Sequence, residues 1–509
     1  MYMNKCIFRI GRLYLSLVFS ISLSWSALAE SPNIIMFLID DQDMDQLAAY
    51  GGETYTPNLD RLAAEGIKFN RAYVSSTVCS PSRYTFLTGR YAGASYERSF
   101  LEENPLGEQS HISFNMGLEQ DNMNVGAVLA ANGYTTGFVG KYHAHGTENL
   151  SKHDIEMGIR TIEKNVKVDL ETDAIMRANE LIYRNELMKR GFSWAKHIYW
   201  GNMKNPYQHH NPEWTMEAAL EFIEENKDGP FYLHYCSTLL HGPNGSWYNS
   251  MKEPQCTGQG TVEPKTAVIE ARRELLNLLE KKGFDPQKHY GIAWIDANLG
   301  VMLDKLKELG IDDNTLVVFA PDHGSSDKGS IYSHNGSQIP LLMRWPKGIP
   351  AGLESDELVQ NIDMVPTFFD IASAKVPVEY DIDGISLKPL LRDGNAPSGD
   401  WRESLYFEIG AARAIMTKDW KYISLRYPVD RINRIKRSKI ANLPQAMSPL
   451  ARSGIGLRGI DHPGFWYEDQ LYHLTRDEKE MSNLASSPEH ESKLREMQQQ
   501  LTSVLKTFE

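Results

Sequence analysis

Short runs of mostly apolar residues, each stopping at a polar or charged residue, restrict the fold of this chain more than any other feature. NIIMFLI (33–39) stops at Asp40-Asp41, YTTGFVG (134–140) at Lys141, and TLVVFA (315–320) at Pro321-Asp322-His323. FYLHYC (231–236) and residues 339–344 are further runs of this kind. Six or seven residues are too few for a core helix. Runs that do not alternate read as strands buried on both faces, as in a parallel sheet. Helical patterns lie between them. Thr56-Pro57 opens one, with threonine as the cap, proline in the first turn, and Leu59, Leu62 and Ala63 as its apolar stripe. Residues 290–309 form another, with Ile292, Ile295, Leu299, Met302, Leu303 and Leu306 on one face and Gly310 at its end. Strands alternating with helices predict an α/β fold, a large and mostly parallel sheet between helices.

Such sheets bind ligands beyond the carboxyl ends of their strands, where Asp40-Asp41, Lys141 and Asp322-His323 stand. Residues 150–230 are expected to be helices and long loops covering the sheet edge. After residue 400 the pattern changes to short strands (SLYFEIG, RAIMTKD, KYISLRY) and a helix over about 487–507. The expected organisation is a catalytic domain over 30–400 and a smaller α+β domain over 401–509.

The first 29 residues stand apart. Lys5, Arg9 and Arg12 precede LYLSLVFSISLSWSALA, which ends in Ala27-Leu28-Ala29. This is the layout of a cleaved secretory signal, too short for a full span, and it predicts a periplasmic or secreted protein with no stable membrane insertion after cleavage. Loss of three positive charges takes the formal net charge from −13 to −16. So acidic a chain has no broad basic face for nucleic acid, and an anionic substrate needs a local cationic pocket. Cys79, Cys236 and Cys256 remain after the leader, with Cys236–Cys256 a possible disulfide and Cys79 the odd one.

Asp40 and Asp41 repel each other unless something positive lies between them, and a hard divalent cation such as Ca²⁺ or Mg²⁺ suits their oxygens. Asp322-His323 offers a second ligand pair. Lys141 and His143 point the same way in extended chain, and Gly133 and Gly140 suggest a turn presenting both to one spot. Taken alone, His241 in LLHGP and Lys328 in SSDKGS read as structural and solvated. His111, His197, His209, His210 and His289 read as structural, with His209-His210 able to line a pocket rim. Two lysines, Arg83 and free histidines around a cation are what a tetrahedral oxyanion needs, so the expected substrate is a sulfate or phosphate ester.

Cys79-Ser80-Pro81-Ser82-Arg83, followed by Thr88-Gly89-Arg90, resembles the C-x-P-x-R…TGR signature of the formylglycine-dependent sulfatases. Residues 133–143 (GYTTGFVGKYH) look like that family's second signature, and DQLYHLTRDEKEMSNLA resembles its C-terminal stretch. The resemblance runs over nearly all of the chain beyond the leader. It implies that a formylglycine-generating maturation enzyme oxidises Cys79 to 3-oxoalanine, whose hydrate carries the nucleophilic hydroxyl. It implies calcium held by Asp40, Asp41, the modified Cys79, Asp322 and His323. Arg83 would fix the hydrate, Lys141, His241 and Lys328 would bind the sulfate oxygens, and His143 would help expel sulfate. The chain departs from the family at Pro321, where a small hydroxyl residue is usual, and in a longer step from Tyr332 to Pro340.

A phosphate mono- or diester hydrolase of the same superfold usually has serine or threonine where this chain has Cys79. A cysteine protease needs none of the carboxylates or lysines. A binding protein that is never oxidised is the non-enzyme alternative. The expected substrate is a sulfated polysaccharide or oligosaccharide, with choline sulfate or an aryl sulfate as the alternative.

Overall fold

Strand β1, Asn33–Ile39, is wholly buried and pairs in parallel on both sides. The computed structural model describes residues 31–105, 109–146, 156–242, 247, 250–251, 255–263, 265–397, 399, 401–426, 462–464 and 467–508. The expected leader, residues 1–29, lies outside them. In chain order the other strands of the large sheet are β2 (Ile67–Phe69), β3 (Thr135–Lys141), β4 (Trp194–Tyr199), β5 (Phe231–Cys236), β6 (Thr315–Pro321), β7 (Leu341–Arg344) and β8 (Leu353–Ser355). Their order is β8-β2-β7-β6-β1-β5-β3-β4. The five strands from β6 to β4 are parallel, and β7 runs antiparallel to both β6 and β2.

The expected mixed, mostly parallel sheet is therefore present, with separate apolar clusters on its two faces. Residues 150–230 depart from expectation. They contain edge strand β4 between two helices, Leu170–Lys189 and Pro212–Glu225. Its sequence, WAKHIY, carries Lys196 and a histidine and so lacks the unbroken apolar run of the interior strands. An edge strand needs only one neighbour and tolerates that composition.

Helix α1, Pro57–Ala64, begins where Thr56-Pro57 places it, but Thr56 does not cap it. The capping oxygen comes from Asp296, on the long helix α2, Pro286–Glu308. Asp296 Oδ1 accepts from Asn58 N at 2.9 Å and Leu59 N at 2.8 Å, while Oδ2 accepts from Asn58 Nδ2 at 2.9 Å. The two backbone donors, Asn58 N and Leu59 N, are the N–H groups an N-cap side chain would satisfy. Asp296→Ala should cost about 2–3 kcal/mol by urea unfolding, because three donors lose a buried carboxylate partner. Thr56→Ala should cost less than about 0.5 kcal/mol, since no cap is lost. Burial holds the Asp296 carboxyl up at about 6 despite those hydrogen bonds. The folded state therefore keeps that proton to higher pH than the unfolded chain does. Relative to Asp296→Asn, wild-type stability should fall as pH rises from about 4 to about 6, and a flat difference across that window would refute this.

A small antiparallel sheet follows: β9 (Leu405–Ile409), β10 (Ala412–Met416), β11 (Trp420–Leu425) and β12 (Asp469–His473), in that spatial order. The C-terminal helix, Glu491–Leu505, covers it through Met497 and Leu501. Leu405, Phe407 and Tyr472 share an apolar cluster with Tyr73, Val78 and Cys79, so the small sheet packs directly behind the segment leading to Cys79. Among the described residues no helix is long and apolar enough to cross a membrane.

Candidate active site

Register brings the acidic residues together. Ile39 pairs with Pro321 at the ends of β1 and β6, so Asp40 and Asp322 leave the sheet side by side. Asp322 N donates to Ile39 O at 2.9 Å, and Asp40 N to Leu239 O at 2.7 Å. The latter bond ties in the turn after β5 that carries His241. Asp41 turns back with φ +54°, which directs its carboxylate toward Lys328.

Cys79 begins a ten-residue helix, Cys79–Thr88, every residue of which is buried. Pro81 is tolerated because it lies in the first turn, where no N–H is needed. Arg83 follows Cys79 by four residues and so lies on the same helix face. Its Nε donates to Asp322 Oδ2 at 2.8 Å and its Nη1 to the Lys141 carbonyl at 3.0 Å. Nη2 lies 3.3 Å from Asp40 Oδ2. Arg90, the last residue of the first signature, plays a different part. It stacks over Tyr380 and Tyr96 and donates to the Asp381 carbonyl, which makes it structural.

Four polar groups converge on the Cys79 sulfur. His323 Nε2 is 3.3 Å away, Asp40 Oδ1 and Lys328 Nζ are each at 3.4 Å, and Lys141 Nζ is at 3.6 Å. Lys141 also bonds Asp40 Oδ2 and, at 2.6 Å, Asn202 Oδ1. Lys328 bonds Asp41 Oδ1 at 2.8 Å. The structure thus puts Lys328 at the centre of the site despite the longer loop that follows it.

The electrostatics keep the carboxylates of Asp40 and Asp41 ionised. Burial alone would raise Asp40, but Lys141 and Arg83 hold its carboxyl well below the usual range. Asp41 is likewise lowered against burial, chiefly by Lys328. Burial opposes a charge on His323, yet Asp322 and Cys79 raise it to about 9. Ligand atoms of Asp40, Asp41, Cys79, Asp322 and His323 all lie within 4.8 Å of one another. Three carboxylates grouped with one imidazole nitrogen are a donor set that fits a hard divalent ion. His241 differs. Burial, followed by Lys328 and Lys141, pushes it down to about 3, so it is a neutral imidazole at physiological pH.

Several expectations need correction. His143 leaves the extended chain that its spacing from Lys141 assumes. Its φ is +47°, away from extended chain, and its ring lies against Phe114 and His145. Gly140 forms no turn. It is a bulge within β3 at φ +90°, and a Cβ there would come within 1.8 Å of the Cys236 carbonyl. Cys236 and Cys256 are both free thiols, so the possible disulfide is absent. Cys236 ends a core strand, and burial pushes its thiol up to about 12.

His209 and His210 do line a cleft beside Lys141 and His241, together with Tyr207 and Asn202. Asn202 is a residue the sequence reading missed. It follows β4, so its signal was one more strand tip, hidden with the edge strand itself. Asp43 was also missed, although it stands two residues past Asp41. Its carboxylate accepts from Ser326 N and Ser326 Oγ and anchors the loop that carries Lys328.

A buried cluster of lysines, arginine and carboxylates around one cysteine, at the carboxyl edge of a mostly parallel α/β sheet, is consistent with an ester hydrolase of the alkaline-phosphatase-like class. The sulfatase family model matches residues 32–374, more than half of the chain, and the model for the C-terminal part of N-sulphoglucosamine sulphohydrolase matches residues 321–439. The chain belongs to the sulfatase family and is a sulfuric ester hydrolase. It is 25% identical to an N-acetylglucosamine-6-O-sulfatase of Bacteroides thetaiotaomicron, over 94% of this chain and 87% of that one. It is 26% identical to an ulvan-active sulfatase of Formosa agariphila, over 92% of this chain and 78% of the other. Its fold matches a solved complex with D-glucosamine-2-N,6-O-disulfate at TM-score 0.60 and 20% identity, covering 94% of this chain and 98% of that one.

Proposed function

We propose that this chain is a periplasmic or secreted sulfatase of sulfated polysaccharides or oligosaccharides, matured at Cys79 and dependent on calcium. The observation that carries the reading is the ring of four polar groups around the Cys79 sulfur. Thiol sulfur is a weak hydrogen-bond partner, whereas the two hydroxyls of an aldehyde hydrate offer enough donors and acceptors for all four groups. Once converted by a formylglycine-generating enzyme, Cys79 would supply the attacking hydroxyl of an aldehyde hydrate. Calcium, held by Asp40, Asp41, Asp322 and His323 with the modified Cys79, would draw charge from a sulfate oxygen.

The remaining work falls to the chain's own side chains. Arg83 holds Asp40 and Asp322 apart and fixes the Lys141 carbonyl. Lys141 and Lys328 point ammonium protons at the reacting position and stabilise the sulfate oxygens. His241 lines the cleft beside Lys141 and is neutral without substrate; it would give a proton to the leaving oxygen only after the anionic substrate has raised its pKa. His143, whose ring lies next to Gly201 in the wall of the cleft that Lys141 also lines, would help expel sulfate.

Support for a carbohydrate substrate comes from the names of the two relatives and from the cleft beside Lys141, whose walls include Tyr207, Gln208 and His209. Protein co-expressed with a maturation enzyme should carry the aldehyde at Cys79 by peptide mass spectrometry. It should release sulfate from N-acetylglucosamine 6-sulfate or ulvan oligosaccharides and lose that activity on treatment with EGTA. Turnover of choline sulfate or an aryl sulfate alone would reject the carbohydrate substrate. An unmodified Cys79 in active protein would reject the maturation.

A further inference from the structure

We propose that His462, supplied by the C-terminal part of the chain, is a positioning residue that sets the place of Lys328 through Asp327. Lys328 occupies the second position of a tight turn, Asp327–Ser330. Ser330 N donates to Asp327 O at 2.9 Å, and Gly329, the third residue, has φ +79°. A positive φ at that position is why the loop reads Asp-Lys-Gly-Ser, since only glycine adopts it without strain. The turn presents the lysine at its apex, so the lysine is placed only as well as the two ends of the turn are held.

One end is tied to the segment that leads into Cys79. Gly329 N donates to Thr77 O at 2.8 Å, and Thr77 Oγ1 donates to Ser330 O. The other end is tied to the C-terminal part. His462 Nε2 lies 3.4 Å from Asp327 Oδ2, and its Nδ1 lies 3.3 Å from the Glu480 carbonyl. The imidazole is stacked on Tyr332 with ring centroids 3.6 Å apart and planes 8° from parallel. That ring is therefore fixed on its face and at both nitrogens.

Its support is itself rigid. Glu480 and Lys421 form a fully buried ion pair at 2.9 Å. Lys421 Nζ donates to the Ile331 carbonyl at 2.6 Å, and Ser333 N donates to Glu480 Oε2. The small sheet thus grips residues 331–333, just beyond the turn, and His462 reaches over them to Asp327. This gives the small sheet a part in the chemistry: it sets where Lys328 Nζ stands relative to Asp41 and the Cys79 sulfur.

The inference rests on the reading of Lys328 as a sulfate ligand, so inorganic sulfate is the probe. Binding is measured by calorimetry on the full chain for wild type, His462→Ala, Asp327→Ala and Lys328→Ala, and for each of the first two changes combined with Lys328→Ala. His462→Ala and Asp327→Ala should each weaken sulfate binding about tenfold or more, because a displacement near 1 Å in such a site has effects of that order. In the Lys328→Ala background neither change should weaken it further. A merely structural role would lower the melting temperature and leave the two losses multiplicative, which would overturn the proposal. Asp327→Ala alters only the catalytic side of the contact and decides the matter if His462→Ala fails to fold. Wild-type protein that does not bind sulfate would reject the reading of the site. The crystal structure of Asp327→Ala would still judge the positioning, and Lys328 kept at 2.8 Å from Asp41 would sink it.

Discussion

Cys79→Ala should abolish sulfate release, lowering turnover by about 10⁴-fold or more, the scale on which loss of a nucleophile is felt. No other described side chain meets the lysines and the carboxylates at the same point. The sulfur lies within 3.6 Å of two ammonium groups, one carboxylate and one imidazole, so removing it removes the atom around which the site is built. The fold should survive, because Cys79 also lies in an apolar cluster with Val78, Phe407 and Tyr472 that alanine still fills in part. Cys79→Ser separates two contributions. It restores one oxygen and with it the polar contacts, so its melting temperature should equal or exceed that of wild type. It supplies a single hydroxyl where a hydrate has two, so steady turnover should stay as low as in the alanine variant. Ion chromatography of released sulfate, with calorimetric melting on the same samples, makes the comparison. Activity above about a tenth of wild type in Cys79→Ala would remove the nucleophile from Cys79.

The sequence made the floor of the site legible because each of its parts is a strand tip. An interior parallel strand must be apolar throughout, so the first charged residue after it marks the sheet edge, and Asp40, Lys141 and Asp322 were found that way. Residues placed by irregular backbone were not. His143 was expected to follow Lys141 in extended chain, and its φ is +47° instead. Thr56 has the right residue type for a cap, but a helix N-terminus accepts any well-placed oxygen, and Asp296 approaches from 240 residues downstream. The Cys236–Cys256 pairing was an inference from compartment alone, with no geometry behind it. Lys328 is the opposite case. A lysine among serines and glycine looks solvated by composition, yet that composition is what a turn at its apex demands. The C-terminal stretch was legible only as a resemblance. In the structure its Glu480 is a buried partner of Lys421, its Asp477 accepts from the Met481 and Ser482 amides, and its Asn483 accepts from Leu471 N. These are framework roles that no local pattern distinguishes from surface polarity.

Arg83→Met should destabilise the protein by about 3–5 kcal/mol, a larger loss than any surface change would bring. The guanidinium is fully buried and bonded to Asp322, close to Asp40, and capped on the Lys141 carbonyl. Burial disfavours its charge, yet Asp322 and Asp40 raise its pKa further above the usual arginine value. Removing one member of a buried ionic set leaves the others desolvated and uncompensated, which costs far more than the set contributes when whole. Arg83→Lys is not a mild change here. Lysine keeps the charge but has a single nitrogen, so it can serve Asp322 or the Lys141 carbonyl and not both in the same fork. About 1–2 kcal/mol of the loss should remain, together with a fall in turnover, because Lys141 then loses the donor that fixes its backbone. Urea unfolding reads the stability directly and does not depend on whether Cys79 has been converted. Peptide mass spectrometry on each variant separates poor maturation from poor catalysis, since Arg83 also belongs to the C-x-P-x-R signature. Arg83→Met with wild-type stability would mean that the carboxylates are balanced without it, by Lys141, Lys328 and the bound cation alone.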